Sequence, residues 1–455
     1  MALEQRAIRR VLIANRGEIA VRIIRACHEL GLEAIQVYSE ADRDSLPVQM
    51  ADGSICIGPP PSSRSYLRSD VLIDAARTAK ADAIHPGYGF LSENAAFARA
   101  CDEAGIVFIG PSAQVIASMG DKASARRIAL EAGVAVTPGS QGTVANAEAA
   151  HAAASELGYP VLLKATAGGG GRGMRVVRDK AQLAASFADA AREAQAAFGD
   201  GSIYVEKFLE RVRHVEIQML SDGDTVLHLG ERDCSIQRRN QKLVEESPSP
   251  ALDDTVRTQM GEAAVRVCRH VSYHSAGTIE FILDAVSGAF YFMEMNTRIQ
   301  VEHPVTEFVT GIDILKEQIR IAQGEHLRIA QAQVRLTGHA IECRINAEDP
   351  VRDFAPAPGQ VQGLRMPGGP GIRIDSHMYE GYRIPPYYDS LLAKVIAWGQ
   401  DREEALARMR RALSEMKIEG VHTTIPFHTR LLADERFRCS DVHTRFVEDE
   451  LMRSI

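Results

Sequence analysis

The 455-residue sequence lacks long apolar runs. Runs such as residues 161–163 and 281–283 are short, whereas a helix that crosses a bilayer needs about 20 apolar residues. The apolar stretch at residues 11–14 is also shorter than the core of a secretory signal, and it is flanked by Glu4 and Glu18. These features exclude a membrane-spanning protein and predict one that stays in the cytoplasm.

The small number of cysteines and the excess of acidic over basic residues exclude further classes of protein. The seven cysteines are odd in number and contain no C-x-x-C pair, which excludes a disulfide framework and a zinc site. Acidic residues outnumber basic ones by 60 to 52, and the net charge of −8 disfavours duplex nucleic acid as a partner. At about 150 residues per domain, the chain has room for roughly three domains.

The first hundred residues alternate between two patterns. Strand and helix patterns follow one another at residues 10–14, 18–30, 34–38, 71–80 and 83–84. This order predicts a parallel sheet with right-handed crossovers, in which ligands bind at the carboxyl ends of the strands. The polar segments 15–18 and 85–90 follow two of these strands, so they are either ligand-binding loops or simple turns.

Beyond Met119 the sequence predicts two further regions. A small α+β lobe is indicated by alternating patterns at residues 147–157, 161–165, 175–178, 180–198 and 203–207. More strands are predicted at residues 214–220, 226–230, 278–283 and 290–296. The proline-rich remainder after Gln323 predicts a loop-rich, β-containing third domain that is closed by a helix over residues 402–416.

Residues 168–173 read Gly-Gly-Gly-Gly-Arg-Gly and satisfy the dinucleotide fingerprint G-x-G-x-x-G. That fingerprint requires a helix after the glycines, whereas residues 174–177 predict a strand. We therefore predict a glycine-tipped hairpin whose backbone N–H groups bind phosphate, with positive charge from Lys164, Arg172 and Arg175. A flexible surface turn and a dinucleotide-binding module are the alternatives.

Acidic residues interrupt two otherwise apolar strands. Glu294 and Asn296 share a face, because side chains alternate along a strand. Glu280 lies on the same face if the turn at 284–288 leaves an odd number of unpaired residues. Two neighbouring carboxylates repel each other unless a hard cation such as Mg²⁺ or Mn²⁺ binds both. The alternative is a salt bridge to a nearby Arg or Lys.

The polar run that follows this hairpin predicts an anion site. Arg298, Gln300 and Glu302 alternate with apolar residues, so that one strand face would present a cation, an amide and a carboxylate to a small oxyanion. A solvated strand edge would show the same alternation. Residues 230–242 mix charges, amides and serine and look like a site loop, and residues 341–349 form a third, weaker polar cluster.

Taken together, these motifs resemble those of biotin carboxylase, a family of the ATP-grasp superfamily. The matching segments are residues 10–20, 85–94, 119–122, the glycine run, 231–242, 294–304 and 342–349. The resemblance covers nearly the whole chain in order. It implies a mixed α/β and α+β protein with a Rossmann-like parallel sheet in residues 1–115, an ATP-grasp domain in 116–330 whose mobile glycine-rich lid spans about 136–203, and a β-rich C-terminal domain in 331–447.

The resemblance also implies the activity, which is carboxylation of biotin by bicarbonate with ATP. The expected ATP ligands are Lys122, Lys164, Gly170, Gly171, Glu206, Lys207, Phe208, Leu209, His214, Gln237, Asn240, Glu280 and Glu294. The expected Mg²⁺ or Mn²⁺ ligands are Glu280, Glu294 and Asn296. The residues expected around bicarbonate are Lys242, Arg298, Gln300, Val301 and Glu302, and Arg344 is expected to bind biotin. Lys242, Arg298, Glu302 and Arg344 are the expected catalytic residues.

By the same resemblance, Glu302 is the general base that removes the bicarbonate proton, so that the oxyanion attacks the γ-phosphorus of ATP. The resulting carboxyphosphate decays to CO₂ and phosphate. The phosphate then deprotonates the ureido nitrogen of biotin, and Arg344 stabilises the enolate that forms. Closure of the glycine-rich lid would keep water away from these intermediates.

The resemblance leaves the final acceptor open. We expect the biotin carboxylase subunit of acetyl-CoA carboxylase, which serves fatty acid synthesis, and a homodimer. The alternatives are a subunit of another acyl-CoA, pyruvate or urea-type carboxylase, or a different ATP-grasp ligase that joins a carboxylate to an amine. The sequence has no Met-Lys-Met biotin-attachment site, so the biotin carrier protein and the carboxyltransferase are expected to be separate chains.

One position departs from the family pattern. Bacterial members read Gln-Arg-Arg-His-Gln-Lys where this chain has Asn240 in the segment 237–242. Asparagine keeps a hydrogen bond to a nucleotide but carries no charge, so ATP affinity or its pH dependence is expected to differ.

Overall fold

The computed structural model describes residues 7–140, 142–165 and 174–452. The chain forms two compact units, one of Met1–Val134, His214–Phe281 and Glu294–Ile455, and the other of Ala135–Arg213 and Ile282–Met293. The predicted phosphate-binding residues Gly170 and Gly171 lie outside the described residues. In the part of the chain that the structure describes, every helix is too short or too polar to span a bilayer.

The N-terminal segment of the first unit folds as predicted, into a sheet flanked by helices. Its elements are β1 (Arg10–Ile13), α1 (Gly17–Glu29), β2 (Glu33–Tyr38), α2 (Leu46–Met50), β3 (Gly53–Cys56), α3 (Ser69–Ala79), β4 (Ala83–His85), α4 (Ala95–Glu103) and β5 (Val107–Phe108). The five strands are parallel in the order β3-β2-β1-β4-β5. Strands β1 and β4 are almost wholly buried, which explains their continuous apolar sequence.

The polar segments at the ends of β1 and β4 bind each other. The side-chain amide of Asn15 donates to the carbonyls of Pro86 and Tyr88, each at 2.7 Å. The guanidinium of Arg16 makes two bonds of 2.8 Å to Asp42 and lies 4.1 Å from the ring centre of Tyr388. The protein's own side chains therefore fill this edge of the sheet, where other folds of this type bind ligands.

The chain continues through α5 (Ala113–Gly120) and α6 (Lys122–Glu131) into the second unit. That unit contains α7 (Ala147–Leu157), β6 (Val161–Ala165), β7 (Met174–Val177), α8 (Lys180–Phe198) and β8 (Ile203–Lys207). The strands form an antiparallel sheet in the order β7-β6-β8. Strand β7 follows the glycine run where a dinucleotide fingerprint would require a helix, as the sequence predicted.

The rest of the chain builds a large sheet with helices. Its elements are β9 (Val212–Asp222), β10 (Val226–Arg238), β11 (Gln241–Ser247), α9 (Asp254–His270), β12 (His274–Asp284), β13 (Phe290–Asn296), α10 (His303–Thr310), α11 (Ile314–Ala322), β14 (His339–Asn346), β15 (Glu348–Asp349), β16 (Ala355–Pro356), β17 (Gly363–Arg365), β18 (Ile372–Ser376), β19 (Leu391–Gly399), α12 (Arg402–Glu415), β20 (Lys417–Glu419), α13 (Ile425–Ala433) and α14 (Glu435–Arg438). The strand order is β13-β12-β9-β10-β11-β14-β19-β18, and β15-β16 and β17-β20 form two small ladders.

Three local predictions are wrong. Residues 230–238 and 241–242 belong to β10 and β11 rather than to a loop, because the polar side chains between 231 and 237 are buried, and only Arg239 and Asn240 form the turn. Residues 297–302 are not a strand, because β13 ends at Asn296 and α10 begins directly after Glu302, with Pro304 in its first turn. The chain does not close with α12, since the apolar residues Phe427 and Leu431 of α13 join the same core.

Side-chain alternation on the central strands separates a core face from a polar face. Ile341, Cys343 and Ile345 of β14 are wholly buried in the C-terminal apolar core. Glu342 and Arg344, which lie between them, belong to the other face. The same strand therefore stabilises the domain with one set of residues and positions charged groups with the other.

Candidate active site

The polar face of the large sheet carries Lys242 of β11 between three carboxylates. Its ammonium donates to Glu216 of β9 at 2.7 Å, to Glu280 of β12 at 2.9 Å, and to Glu302 at 2.6 Å. Only 13% of the lysine side chain is exposed. Burial by itself would lower the pKa of Lys242, but the three carboxylates outweigh it and raise the pKa well above the usual value. This ammonium is therefore a fixed positive charge.

Arg232 lies behind Lys242 and is completely buried. Its five N–H groups donate to five acceptors, namely Glu216 at 2.5 Å, Gln218 at 2.7 Å, Thr306 at 3.0 Å, Thr278 at 3.2 Å and Gln300 at 2.6 Å. A buried guanidinium is tolerated only when its donors are satisfied in this way. The side chain thereby links β9, β10 and β12 to helix α10 and to the segment that precedes it.

Glu302 lies between two cations. One carboxylate oxygen accepts from Lys242, and the other accepts from Arg344 of β14 at 2.9 Å. Burial would raise the pKa of Glu302, but Lys242, Arg344 and Arg232 lower it well below the usual value. The arrangement presents a carboxylate and two cation donors together, which suits proton transfer from a small oxyanion that the cations bind.

The predicted acidic pair comes together beside this cluster. Glu280 accepts from the amide of Asn296 at 2.9 Å, and its second oxygen lies 3.0 Å from Nε2 of His214. Because Glu280 is also bonded to Lys242, the salt bridge considered as the alternative to a metal is present for this residue. Burial and repulsion from Glu280 raise the pKa of Glu294. A divalent cation shared by the two carboxylates would relieve that repulsion, so the oxygen donors fit Mg²⁺ or Mn²⁺.

The predicted anion-binding run converges on the same cluster, although it is not a strand. Gln300 donates to Glu280 at 2.8 Å. Arg298 donates to Asn296 and to Glu93, each at 2.8 Å, so its guanidinium lies beside the acidic pair rather than beside Glu302. The carbonyl of Val301 accepts from the buried Lys394 of β19 at 2.8 Å.

The remaining predicted nucleotide residues lie in both units. In the first unit, Gln237 lies 2.8 Å from Nδ1 of His214, and Lys122 begins α6. In the second unit, Lys164 lies 3.4 Å from Glu206, Lys207 donates to the carbonyls of Gly158 and Tyr159, and the amide of Phe208 donates to Pro160 ahead of Leu209. Each unit therefore contains part of the predicted nucleotide-binding set.

Four buried charged residues of the cluster were missed by the sequence reasoning, namely Glu216, Arg232, Glu245 and Lys394. Glu216 and Lys394 are flanked by apolar residues on their strands, and a charged residue in such a setting is the signal that could have identified these two, because an unpaired charge is rarely buried. Glu245 and Arg232 have charged neighbours and carry no such signal. Arg232 was noticed only as part of a polar run.

Asn240 occupies the turn between β10 and β11. Its φ angle is +64° and that of Arg239 is +49°, so both residues are left-handed. Two consecutive left-handed residues define the tight hairpin turn that favours asparagine. The departure from the family pattern at this position therefore suits the backbone, and Lys242 follows only two residues later.

Three family models match successive parts of the chain. These are the biotin carboxylase N-terminal domain over residues 7–116, the ATP-binding domain of the carbamoyl-phosphate synthase L chain over 121–330, and the biotin carboxylase C-terminal domain over 342–449. Together they include nearly all of the sequence.

Full-length relatives agree with these matches. The chain is 59% identical to biotin carboxylase of Nostoc sp., with 97% of this chain and 98% of the relative covered. It is 52% identical to a pyruvate carboxylase subunit of Methanothermobacter thermautotrophicus, with 98% and 90% covered. Among solved structures, it is 50% identical to the biotin carboxylase domain dimer of Hydrogenobacter thermophilus 2-oxoglutarate carboxylase in complex with MgADP, ADP and bicarbonate. That match has a TM-score of 0.89 and covers 98% of each chain.

The turn geometry predicts a mild effect of Asn240→His. Histidine also tolerates a left-handed φ, so the hairpin and Lys242 should keep their positions, and ATP turnover with bicarbonate should stay within about tenfold of the wild type. Steady-state ADP release measures this, and thermal unfolding checks the fold. Complete loss of turnover in a folded variant would show that Asn240 has a specific role that histidine cannot fill.

Proposed function

The chain belongs to the biotin carboxylase family of ATP-grasp ligases, and we propose that it catalyses the first half-reaction of acetyl-CoA carboxylase. In this reaction bicarbonate, activated by ATP as carboxyphosphate, carboxylates biotin on a separate carrier protein. The observation that carries the proposal is Glu302, held between Lys242 and Arg344 and next to the acidic pair. One site then has a base, two anion-binding cations and oxygen ligands for a metal.

Glu302 acts as the base that removes the bicarbonate proton. With Lys242 and Arg344 both bonded to it, its lowered pKa makes it a weak base. Bicarbonate and the transferring phosphoryl group are anions that compete for the same two cations. As they take over these hydrogen bonds, the pKa of Glu302 rises and proton transfer becomes easier. Substrate binding therefore activates the base.

The proposed nucleotide ligands fall into two sets. The first unit contains Lys122, His214, Gln237, Asn240, Glu280 and Glu294, and the second contains Lys164, Gly170, Gly171 and residues 206–209. Mg²⁺ or Mn²⁺ held by Glu280, Glu294 and Asn296 would neutralise part of the phosphate charge. Lys242, Arg298, Gln300, Val301 and Glu302 are the proposed bicarbonate ligands, with Arg298 held on the side of Asn296. The division into residues 1–115, 116–330 and 331–447 is supported by the ranges of the three family models.

Arg344 serves the second step. Phosphate released from carboxyphosphate removes the ureido proton of biotin, and the guanidinium of Arg344 donates to the enolate oxygen that forms. The raised pKa of Arg344, caused by Glu245 and Glu302 against the effect of burial, keeps the guanidinium charged at every physiological pH.

The partners follow from the proposed complex. They are a biotin carboxyl carrier protein, carboxyltransferase subunits and a second copy of this chain, and the proposed location is the cytoplasm. The dimer is supported by the dimeric Hydrogenobacter thermophilus relative. Relatives named for pyruvate and 2-oxoglutarate carboxylases keep other acceptors as candidates. An ATP-grasp ligase acting on an amine is less favoured, because it would not need both Glu302 and Arg344.

We expect ADP release by the purified chain to require bicarbonate and to accelerate with free biotin. Bicarbonate provides the attacking oxyanion, and biotin consumes the carboxyl group that would otherwise decay. A coupled ADP assay with bicarbonate-depleted buffer as the control measures both effects. ADP release without bicarbonate that is stimulated by an amino acid would instead identify a carboxylate–amine ligase.

Glu302→Gln should lower bicarbonate-dependent ATP cleavage by at least about a hundredfold, because the amide cannot accept the proton. ATP affinity should stay within about threefold, since the neutral side chain still packs between Lys242 and Arg344. Calorimetry with a non-hydrolysable ATP analogue tests binding, and the ADP assay tests turnover. Turnover close to that of the wild type would remove Glu302 from the role of base.

The native complex should identify the acceptor. Purification of the tagged chain from its source cells is expected to recover a biotinylated carrier and a carboxyltransferase, and the complex should transfer labelled bicarbonate to acetyl-CoA. Pyruvate, 2-oxoglutarate and other acyl-CoA esters serve as parallel acceptors. Labelling of pyruvate alone would assign the chain to a pyruvate carboxylase.

A further inference from the structure

The two cations bonded to Glu302 each have a second carboxylate partner. Lys242 keeps Glu216 and Glu280 in addition to Glu302. Arg344 keeps Glu245 of β11, to which its Nε donates at 2.6 Å. Glu245 and Glu216 are completely buried, so neither carboxylate reaches a substrate.

These second partners matter when the charge of Glu302 changes. In the proposed function Glu302 accepts a proton and becomes neutral during each turnover. Its hydrogen bonds to Lys242 and Arg344 then weaken, since a bond to a charged acceptor is roughly twice as strong as a neutral one. Lys242 still has two carboxylates. The only other carboxylate bonded to Arg344 among the described residues is Glu245.

Glu245 is well placed to keep Arg344 in position. It lies on a central strand of the sheet between β10 and β14, and both Nε and Nη2 of Arg344 contact the same carboxylate oxygen. Two donors on one oxygen hold this edge of the guanidinium against Glu245. The Nη2 atom also reaches Glu302, so one guanidinium edge lies between the buried Glu245 and the carboxylate that changes charge. Burial raises the pKa of Glu245 to about 7, with Arg344 opposing the rise and Glu302 adding to it. Protonation of Glu302 removes that repulsion and therefore favours the charged form of Glu245.

Based on the proposed function, we propose that Glu245 is the positioning residue of Arg344. It holds the guanidinium in place while Glu302 gains and loses its proton, so that Arg344 remains oriented toward biotin through both steps.

Glu342 provides a matched comparison. It is the direct cross-strand neighbour of Glu245 in the β11–β14 ladder and is equally buried. Within the described residues neither of its carboxylate oxygens has a hydrogen-bond partner. Burial raises the pKa of Glu342 well above the usual value, against the attraction of Lys394, and repulsion from Glu245 adds to the rise. Glutamine closely matches a neutral glutamic acid in shape and charge.

A double-mutant cycle between Glu245 and Arg344 tests the proposal. We expect Glu245→Gln to lower kcat/KM for free biotin by about tenfold or more, because small displacements of a catalytic group have large effects on rate. In the Arg344→Gln background, which is already slow, the same change should add less than about twofold, because Glu245 acts only through Arg344. Glu342→Gln should stay within about twofold of the wild type. Circular dichroism and ATP affinity verify that each variant is folded.

The proposal would be overturned if Glu245→Gln lowered kcat/KM for biotin by the same factor in the wild-type and Arg344→Gln backgrounds. It would also be overturned if Glu342→Gln lowered kcat/KM as much as Glu245→Gln does. Either result would indicate a general effect on the fold. No loss in the wild-type background would overturn it too. If Glu245→Gln does not fold, Glu245→Asp replaces it in the cycle, since it keeps the charge but withdraws the carboxylate from Arg344. Failure of the proposed function itself is distinguishable, because the wild-type chain would then show no bicarbonate-dependent ADP release.

Discussion

Charge neutralisation inside the large sheet is the constraint on which this structure depends. Glu216, Glu280 and Glu302 are removed from water around a single lysine, and an uncompensated buried carboxylate would be strongly destabilising. Lys242 can satisfy three carboxylates only if β9, β11, β12 and the start of α10 keep their relative positions. The geometry that binds an anionic substrate is therefore the geometry that makes the charged interior stable.

Arg232 gives this arrangement its rigidity. Its five hydrogen bonds tie β10 to β9, β12, helix α10 and Gln300, so displacement of any one of these elements leaves a buried polar group without a partner. This explains how residues 297–302 can lack regular structure and still present their side chains reproducibly. The irregular segment is held by side-chain bonds instead of by a strand ladder.

In the N-terminal sheet, the protein's own side chains occupy the carboxyl ends of the parallel strands. The carboxyl ends of its parallel strands are filled by Asn15, Arg16 and Asp42 and by the ring of Tyr388 from the C-terminal region. Nearby, Glu18 of α1 lies 3.1 Å from Lys394, which also donates to the carbonyl of Val301. The edge that binds ligands in many α/β proteins here positions the backbone between Gln300 and Glu302.

Apolar periodicity and side-chain alternation are local properties, so the amino-acid pattern was sufficient to predict the parallel N-terminal sheet, the strand after the glycine run and the acidic hairpin. It also contained the motifs that resemble biotin carboxylase. Which charges meet became known from the folded chain: Arg298 contacts Glu93 and not Glu302, and Glu245 and Arg232 belong to the site. Ion pairs depend on strand register and on residues far apart in the chain, and a charged residue read in isolation is more often exposed than buried.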